Sequence, residues 1–194
     1  MLKVAALTIV LITMSHVGAI GNSADTTKST GKNYIKAQYA GSTGLLSVGI
    51  GKELLNEKLS VDLNYGYLPE FINGVRVHTF GMKAAFLIKR YKLSSIEPSF
   101  HAGAGINYAI TANTYLRYPA YYPDDYYLPN ALHVSPFIRI SAGFPCTEGK
   151  FNKISFYTEL ATQEYEIYYA FLNKEVRFYE IWNICFGMAF HFRR

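Results

Sequence analysis

Residue types that occur together in acyl hydrolases alternate along two short segments of the chain. Glu97, Ser99 and His101 stand two residues apart, and His133 with Ser135 repeats the spacing. A serine hydroxyl attacks an acyl carbon when a histidine takes its proton and a carboxylate orients that histidine. Alternate residues of a strand share one face, so the spacing predicts one cluster of hydrolase-type groups on one side of a sheet.

Six charged residues follow the same alternation and fall on that same face. Three are basic and three are acidic, namely Lys36, Lys83 and Arg139 against Asp62, Glu97 and Glu159. Charged groups that are enclosed in a narrow space must pair or be solvated. We therefore predict a polar network of salt bridges and hydrogen bonds inside the protein. The alternative is that these charged pairs have a role in conduction through the barrel or in its gating.

Eight segments with period-two alternation must position these side chains. They cover residues 34–41, 45–53, 58–67, 75–91, 96–108, 131–144, 154 to about 165, and about 177 to 192. One face of each segment is bulky and uncharged, whereas the other is small or polar and rich in glycine. Single-chain bacterial barrels have an even number of strands. The pattern predicts an all-β fold, an eight-stranded antiparallel transmembrane β-barrel.

The polarity of the two faces favours lipid outside the barrel. A soluble barrel points its large apolar side chains inward and has a mixed charged exterior. Here the glycine-rich face suits a crowded lumen and the uncharged bulky face suits hydrocarbon. Charged residues make up only 17% of the chain, which is low for a soluble surface. A secreted soluble ligand-binding barrel is the alternative.

The same alternation turns the serines and histidines into the lumen, away from any lipid substrate. We therefore expect no catalytic residues and no enzymatic activity, with a lipid A-modifying acyl hydrolase as the alternative. Neither a metal nor a cofactor is expected, because Asp124 and Asp125 are two carboxylates without further oxygen ligands nearby in the sequence.

The N-terminal residues have the composition of an export signal. Lys3 precedes an apolar run from Val4 to Met14, which is too short to span a bilayer as a helix. We predict a signal peptide at 1–19, a flexible periplasmic lead-in at 20–32 and the barrel at 33–194.

The formal net charge of +5 comes without a Lys/Arg block, so nucleic acid is not an expected partner. The two cysteines, Cys146 and Cys185, do not form a disulfide scaffold, and the sequence leaves open whether they are bridged.

The connections differ between the two ends of the barrel. The turns "LNEK", "KLSS" and "PCTEGKFN" are predicted to be periplasmic, and longer loops are predicted outside. The longest loop, 109–130, includes the tyrosines Tyr121, Tyr122, Tyr126 and Tyr127. Such a loop is typical of a contact surface for an extracellular ligand or of an aromatic girdle.

Near the outer end, Arg76 and His78 are predicted at headgroup level, where they contact lipid phosphate or water. Pro136 lies in mid-segment and predicts a bulge.

The last segment resembles a known targeting signal. Gly187, Phe190 and Phe192 in "GMAFHF" are similar to the C-terminal signal of Gram-negative outer-membrane proteins, although Arg193 and Arg194 follow here. The stretch "HAGAGINYA", residues 101–109, resembles the fifth strand of small barrels of the OmpW type. "HVS" at 133–135 resembles the His-x-Ser of outer-membrane lipid A deacylases, but Pro136 and Phe137 follow where that family has Asn and Ala.

These resemblances imply a location and a set of partners. The location is the outer membrane of a Gram-negative bacterium, and the protein is of the small OmpA, OmpX and OmpW kind. The implied partners are outer-membrane lipid and lipopolysaccharide, and the barrel-assembly machinery that reads the last strand. The expected role is non-enzymatic: membrane structure, surface interaction or passage of small apolar molecules.

Overall fold

The computed structural model describes residues 32–111, 131–172, 177 and 179–193. The predicted signal peptide lies outside the described residues, as does all of the predicted lead-in except Lys32, which is the first residue of a strand. The four tyrosines of the predicted outer contact surface, Tyr121, Tyr122, Tyr126 and Tyr127, also lie outside them.

Eight strands form the wall of the molecule. They are β1 (Lys32–Tyr39), β2 (Leu46–Leu54), β3 (Leu59–Leu68), β4 (Val77–Arg90), β5 (Glu97–Ile110), β6 (Leu132–Pro145), β7 (Phe151–Ala161) and β8 (Asn183–Phe192). Each strand pairs antiparallel with the next, and β8 pairs with β1, so that the sheet closes on itself. The prediction of an eight-stranded antiparallel barrel is confirmed.

The interior of the barrel is polar and its outer wall is apolar. Along β1, Tyr34, Lys36 and Gln38 are buried, whereas Ile35 and Tyr39 between and beyond them are exposed. The same alternation runs around the wall, because each residue pairs with a residue of the neighbouring strand that points to the same side.

The two ends of the barrel differ in how the strands are connected. At the end where β1 starts and β8 finishes, the connections are residues 55–58, 91–96 and 146–150. We call this the turn end. The other end, here the loop end, includes two short helices, α1 (Glu70–Asn73) and α2 (Glu164–Leu172). No helix in the described part of the chain is long and apolar enough to cross a membrane.

Helix α2 takes the place of the last residues of the predicted seventh segment, which the alternation extends to about residue 165. β7 stops at Ala161 and β8 begins only at Asn183. Glu166 explains the change, since its carboxylate accepts a hydrogen bond from the backbone N–H of Gln163 at 3.0 Å, half of a helix capping box. Glu164 accepts a bond from the backbone N–H of Val134 at 2.7 Å, which ties α2 to β6 beyond the end of β7.

The predicted bulge at Pro136 is absent from the structure. β5 and β6 keep their register through the Ala104–Pro136 pair. The oxygen of Pro136 accepts a bond from Thr162 at 3.2 Å, just past the last β6–β7 pair, Phe137 with Ala161. The missing N–H therefore falls where the ladder with β7 has already ended, and the strand needs no bulge to accommodate it. Register shifts occur instead near the turn end, between Leu87 and Lys89 and between Phe151 and Lys153.

Candidate functional site

Five charged side chains meet in the middle of the lumen, and we call them the lumen network. They come from five different strands: Lys36, Asp62, Lys83, Arg139 and Glu159. Lys36 Nζ lies 2.5 Å from Asp62 Oδ2, Arg139 Nη2 lies 3.2 Å from the same oxygen and 2.9 Å from Glu159 Oε2, and Lys83 pairs with Glu159 Oε1. Every one of these side chains is at most 8% exposed, so the network excludes bulk water from the centre of the lumen.

Strand register explains one of the ion pairs directly, because Arg139 stands opposite Glu159. Directly opposed residues on one face have Cβ atoms within about 5.5 Å of each other, which long charged side chains span easily. Asp62 and Lys83 also stand opposite each other, but Asp62 pairs with Lys36 and Arg139, whereas Lys83 pairs with Glu159. The network therefore has one cross-strand ion pair, and the Arg139–Asp62 contact joins it to Asp62 across the lumen.

Two glycines let side chains reach past a neighbouring strand. Tyr34 and Asp62 both stand opposite Gly51, and the Tyr34 hydroxyl donates a hydrogen bond to Asp62 over this gap. Gly187 stands between Tyr157 and Gln38 in the same way, and the Tyr157 hydroxyl donates to Gln38 Oε1 at 3.3 Å. A Cβ at either glycine would overlap the tyrosine ring beside it, so these positions require glycine for the lumen to fill.

Positive charge exceeds negative charge in the network, with three cations against two carboxylates. Two aromatic rings offset the difference. The Lys83 ammonium lies 5.3 Å from the centre of the Phe137 ring, and the Arg139 guanidinium lies 5.0 Å from the centre of the Tyr157 ring. Cation–π contacts strengthen when they are desolvated, as these are.

Glu97, the sixth predicted residue, lies apart from the other five. It lines a cavity of about 50 Å³ between the network and the turn end, and Lys36 and Arg139 line the same cavity. In the described part of the chain, Glu97 has no cation within ion-pair distance. At roughly 10–15 Å³ for each water molecule, the cavity has room for a few waters only.

The predicted hydrolase groups do not assemble a catalytic site. Among the described residues, the serine hydroxyls contact groups other than histidine: Ser99 Oγ lies 2.7 Å from Ser141 Oγ, and Ser135 Oγ accepts a hydrogen bond from Asn107 at 3.0 Å. His133 Nδ1 lies 3.2 Å from Glu164 of α2. Among the described residues, the buried Nδ1 of His101 has no hydrogen-bond partner.

A serine–histidine pair does occur nearby, at residues that the sequence analysis did not select. Ser155 Oγ lies 3.2 Å from His191 Nε2, and His191 Nδ1 lies 3.4 Å from Glu53 Oε1. The order resembles that of a hydrolytic triad, but all three side chains line the same 50 Å³ cavity. Ligand pockets typically measure about 300–1,000 Å³, so an acyl substrate does not fit here. Glu53 also pairs with Lys153 at 3.3 Å, which favours a structural role for this group.

A second ionic cluster, which we call the rim cluster, lies at the turn end. Its centre is Glu57, whose two carboxylate oxygens pair with Lys32 and Arg90. Leu55, Asn56 and Glu57 all have positive φ, at 50°, 56° and 66°. Left-handed backbone is costly for such residues and persists only where the surroundings hold it. The two cations on Glu57 supply part of that constraint. In the sequence, only the turn "LNEK", which includes Glu57, signals this cluster.

The ionic partners of Glu57 also set its acidity. Burial acts to raise the pKa of Glu57, but hydrogen bonds from Lys32 and Arg90 outweigh it and lower the pKa to about 2. A depressed pKa stabilises the fold above the unfolded value of roughly 4.3, and that contribution is lost as the pH falls towards 2.

We expect Glu57→Gln to lower the free energy of unfolding at pH 7 by about 1 kcal/mol. This value is the upper end of the range of stabilisation for an ion pair that water partly screens. The difference from the native protein should shrink below about pH 4 and vanish only well below pH 2, where native Glu57 is also neutral. Urea titrations of the folded protein in detergent at several pH values measure this. Glu148→Gln is the control, the same change in the exposed turn of residues 146–150. A Glu57→Gln difference that does not shrink between pH 7 and pH 2 contradicts the ionic account of the rim cluster.

Comparisons with known proteins give little beyond the fold. No protein-family model and no curated protein sequence matches the chain. Among solved structures, the chain is similar to the N-terminal β-barrel domain of Pseudomonas aeruginosa OprF, with a TM-score of 0.44 and 13% identity, over 85% of this chain and 100% of that domain. A likeness of this strength is too weak to carry a functional argument.

Proposed function

We propose that this protein is an integral β-barrel of the outer membrane of a Gram-negative bacterium, that it is not an enzyme, and that its lumen is closed by a structural polar network. The observation that carries the proposal is the inverted polarity of the barrel. Five buried charges lie inside, while Val48 and Ile50 on the outer wall are 59% and 61% exposed.

The extent of the apolar outer wall supports lipid as its environment. Exposed apolar residues occur on every strand, including Leu63, Met82, Ile106, Ile138 and Phe186. Soluble monomers rarely expose a contiguous apolar patch larger than a few hundred Å². The sheet closes on itself and has no free edge strand, which is the condition for contact of a sheet with hydrocarbon. A secreted soluble barrel requires the opposite polarity.

The orientation in the membrane follows from the connections. Outer-membrane barrels have short periplasmic turns and longer external loops. We therefore place the turn end in the periplasm, with the rim cluster, and the loop end outside, with α1, α2 and the 109–130 loop. We also propose that this loop, with Tyr121, Tyr122, Tyr126 and Tyr127, is a contact surface for an extracellular ligand.

Aromatic residues at the turn end suit a membrane interface. The ring of Phe151 lies 5.4 Å from that of Phe190 and 5.3 Å from that of Phe192. Such rings favour the headgroup zone. We propose that Gly187, Phe190 and Phe192 also form the signal that the barrel-assembly machinery reads. In the folded barrel this strand pairs with β1 on one side and β7 on the other.

The lumen network and the small cavity favour a structural or surface role over passage through the lumen. Five of the six residues that were predicted for the network are joined in ion pairs, and the sixth, Glu97, faces the cavity. Passage of small apolar molecules would need a route that these side chains do not obstruct.

The proposal is tested by folding the purified chain into detergent or lipid vesicles and comparing unboiled with boiled samples on SDS gels. We expect the unboiled band to migrate differently, because a closed barrel has no free edge at which the detergent can open the ladder. A soluble barrel would remain in the aqueous fraction without detergent. Identical mobility in both lanes, together with recovery from the aqueous fraction, contradicts a membrane barrel.

A further inference from the structure

An apolar groove crosses the outer wall over β1, β2 and β3. Its lining includes Val48 and Ala37, the smallest side chain on this part of the outer wall. Larger apolar side chains also line it: Ile35, Ile50, Leu63, Tyr65, Phe80 and Phe190. Leu46, on the same face of β2 as Val48 and Ile50, extends the track towards the loop end. From Leu46 to Ile50 the track is roughly 13 Å long at about 3.3 Å per residue.

Polar and cationic groups stand at the loop end of this track. A second hollow begins at Leu46, and its lining is Leu46, Tyr67, Pro69, Glu70, Phe71 and Arg76. His78 connects the two, because its Nδ1 lies 2.7 Å from the Tyr65 hydroxyl and its ring lies 5.2 Å from that of Tyr67.

We propose that this surface, which we call the wall groove, binds one lipid of the outer leaflet. An acyl chain of the lipid lies along Leu46, Val48 and Ala37, and a phosphate of its headgroup lies at Arg76 and His78. The inference rests on the proposed function, since it requires the outer wall to face lipid. Phosphorylated lipid A, the membrane anchor of lipopolysaccharide, has this chemistry.

The charge at the head of the groove suits an anion. Among the described residues, Arg76 pairs with Glu70 alone, at 3.6 Å, and the two side chains are 60% and 64% exposed. Exposed ion pairs of this kind are weak, whereas arginine binds phosphate with two parallel hydrogen bonds. A phosphate can therefore displace Glu70. When the Tyr65 hydroxyl donates to Nδ1, the proton of the neutral His78 ring is on Nε2, which then donates to a phosphate oxygen.

The experiment uses the folded full barrel in detergent, with diphosphoryl lipid A as the probe and a phosphate-free glycolipid as the comparison. Native mass spectrometry counts the lipids that each barrel retains. We expect one lipid A per native barrel and weak retention of the phosphate-free lipid. Arg76→Gln should lower the retained fraction of lipid A about tenfold, since hydrogen bonds to charged groups are individually strong. Ala37→Trp should lower it similarly, because the larger side chain fills the groove that Ala37 lines.

Two matched variants make the result specific. Lys89→Gln removes a positive charge at the other end of β4, and Ala102→Trp makes the same enlargement on β5, across the barrel from β1. Both should retain lipid A as the native protein does. Folding of every variant is first checked by the mobility of the unboiled band. If all barrels fold and the four variants retain lipid A equally, the wall groove is not a lipid site, although the proposed function stands. If the native chain forms no membrane barrel, the proposed function and this inference both fail.

Discussion

Replacing Glu159 with glutamine is expected to lower the free energy of unfolding by roughly 3–5 kcal/mol, the cost of breaking a buried ion pair on one side. The Glu159 carboxylate accepts from Lys83 through one oxygen and from Arg139 Nε and Nη2 through the other, at 3.1 and 2.9 Å. Glutamine keeps the size of the side chain and removes its charge. Both cations then stay buried with less compensation, and only Arg139 has another carboxylate, Asp62, within reach.

The control for this prediction is Glu97→Gln, which makes the same chemical change on the same inner face of the barrel. Glu97 lines the water-sized cavity and is outside the lumen network, so we expect its replacement to change stability by no more than about 0.5 kcal/mol. Urea titration of the folded protein, followed by the fluorescence of the single tryptophan, Trp182, measures both. Equal costs at the two positions would show that the lumen is solvated throughout and that no buried network exists.

A double variant separates the pair from the packing around it. Replacing Lys83 and Glu159 together with methionine removes both charges at similar volume. Apolar replacement of a complete buried pair is often neutral or stabilising. We therefore expect the double variant to be more stable than Glu159→Gln alone. If it is less stable, the side chains contribute chiefly through packing.

The sequence predicts the barrel well because strand alternation is a local property. Large apolar and small polar residues alternate with period two in every strand, so the face of Lys36 or Ile138 can be assigned without knowledge of the fold. Alternation misled at the ends of the last two segments. It extends the seventh segment to about residue 165, but β7 stops at Ala161, and capping by Glu166 with its hydrogen bond from Asn183 Nδ2 at 3.3 Å stabilises helix α2. It starts the eighth segment at about residue 177, but β8 begins at Asn183.

Partner choice inside the lumen depends on features that alternation does not include. Parity places six charges on one face, but register and the gaps at glycine decide which of them meet. Lys36 reaches Asp62 past β2, where Gly49 and Gly51 leave room. Glu97 faces a cavity instead. The rim cluster depends on the left-handed turn at Glu57, which the sequence marks only weakly.

Arginine placed on the outer wall is expected to cost most at mid-height. Ile138 lies near the middle of β6 and is 51% exposed, whereas Leu132, the first residue of the same strand, is 47% exposed on the same face at the loop end. In water, exposed apolar residues of this kind can be replaced by arginine at little cost. In a bilayer, arginine costs about 2–4 kcal/mol at the midplane and about 0–1 kcal/mol near the interface.

The most direct test of the account is therefore to compare the unfolding free energies of Ile138→Arg and Leu132→Arg in lipid vesicles. The account predicts a loss of about 2–4 kcal/mol for Ile138→Arg and no more than about 1 kcal/mol for Leu132→Arg, because only the first charge lies in hydrocarbon. Small and equal losses at the two positions would contradict it, since they would place this wall in water.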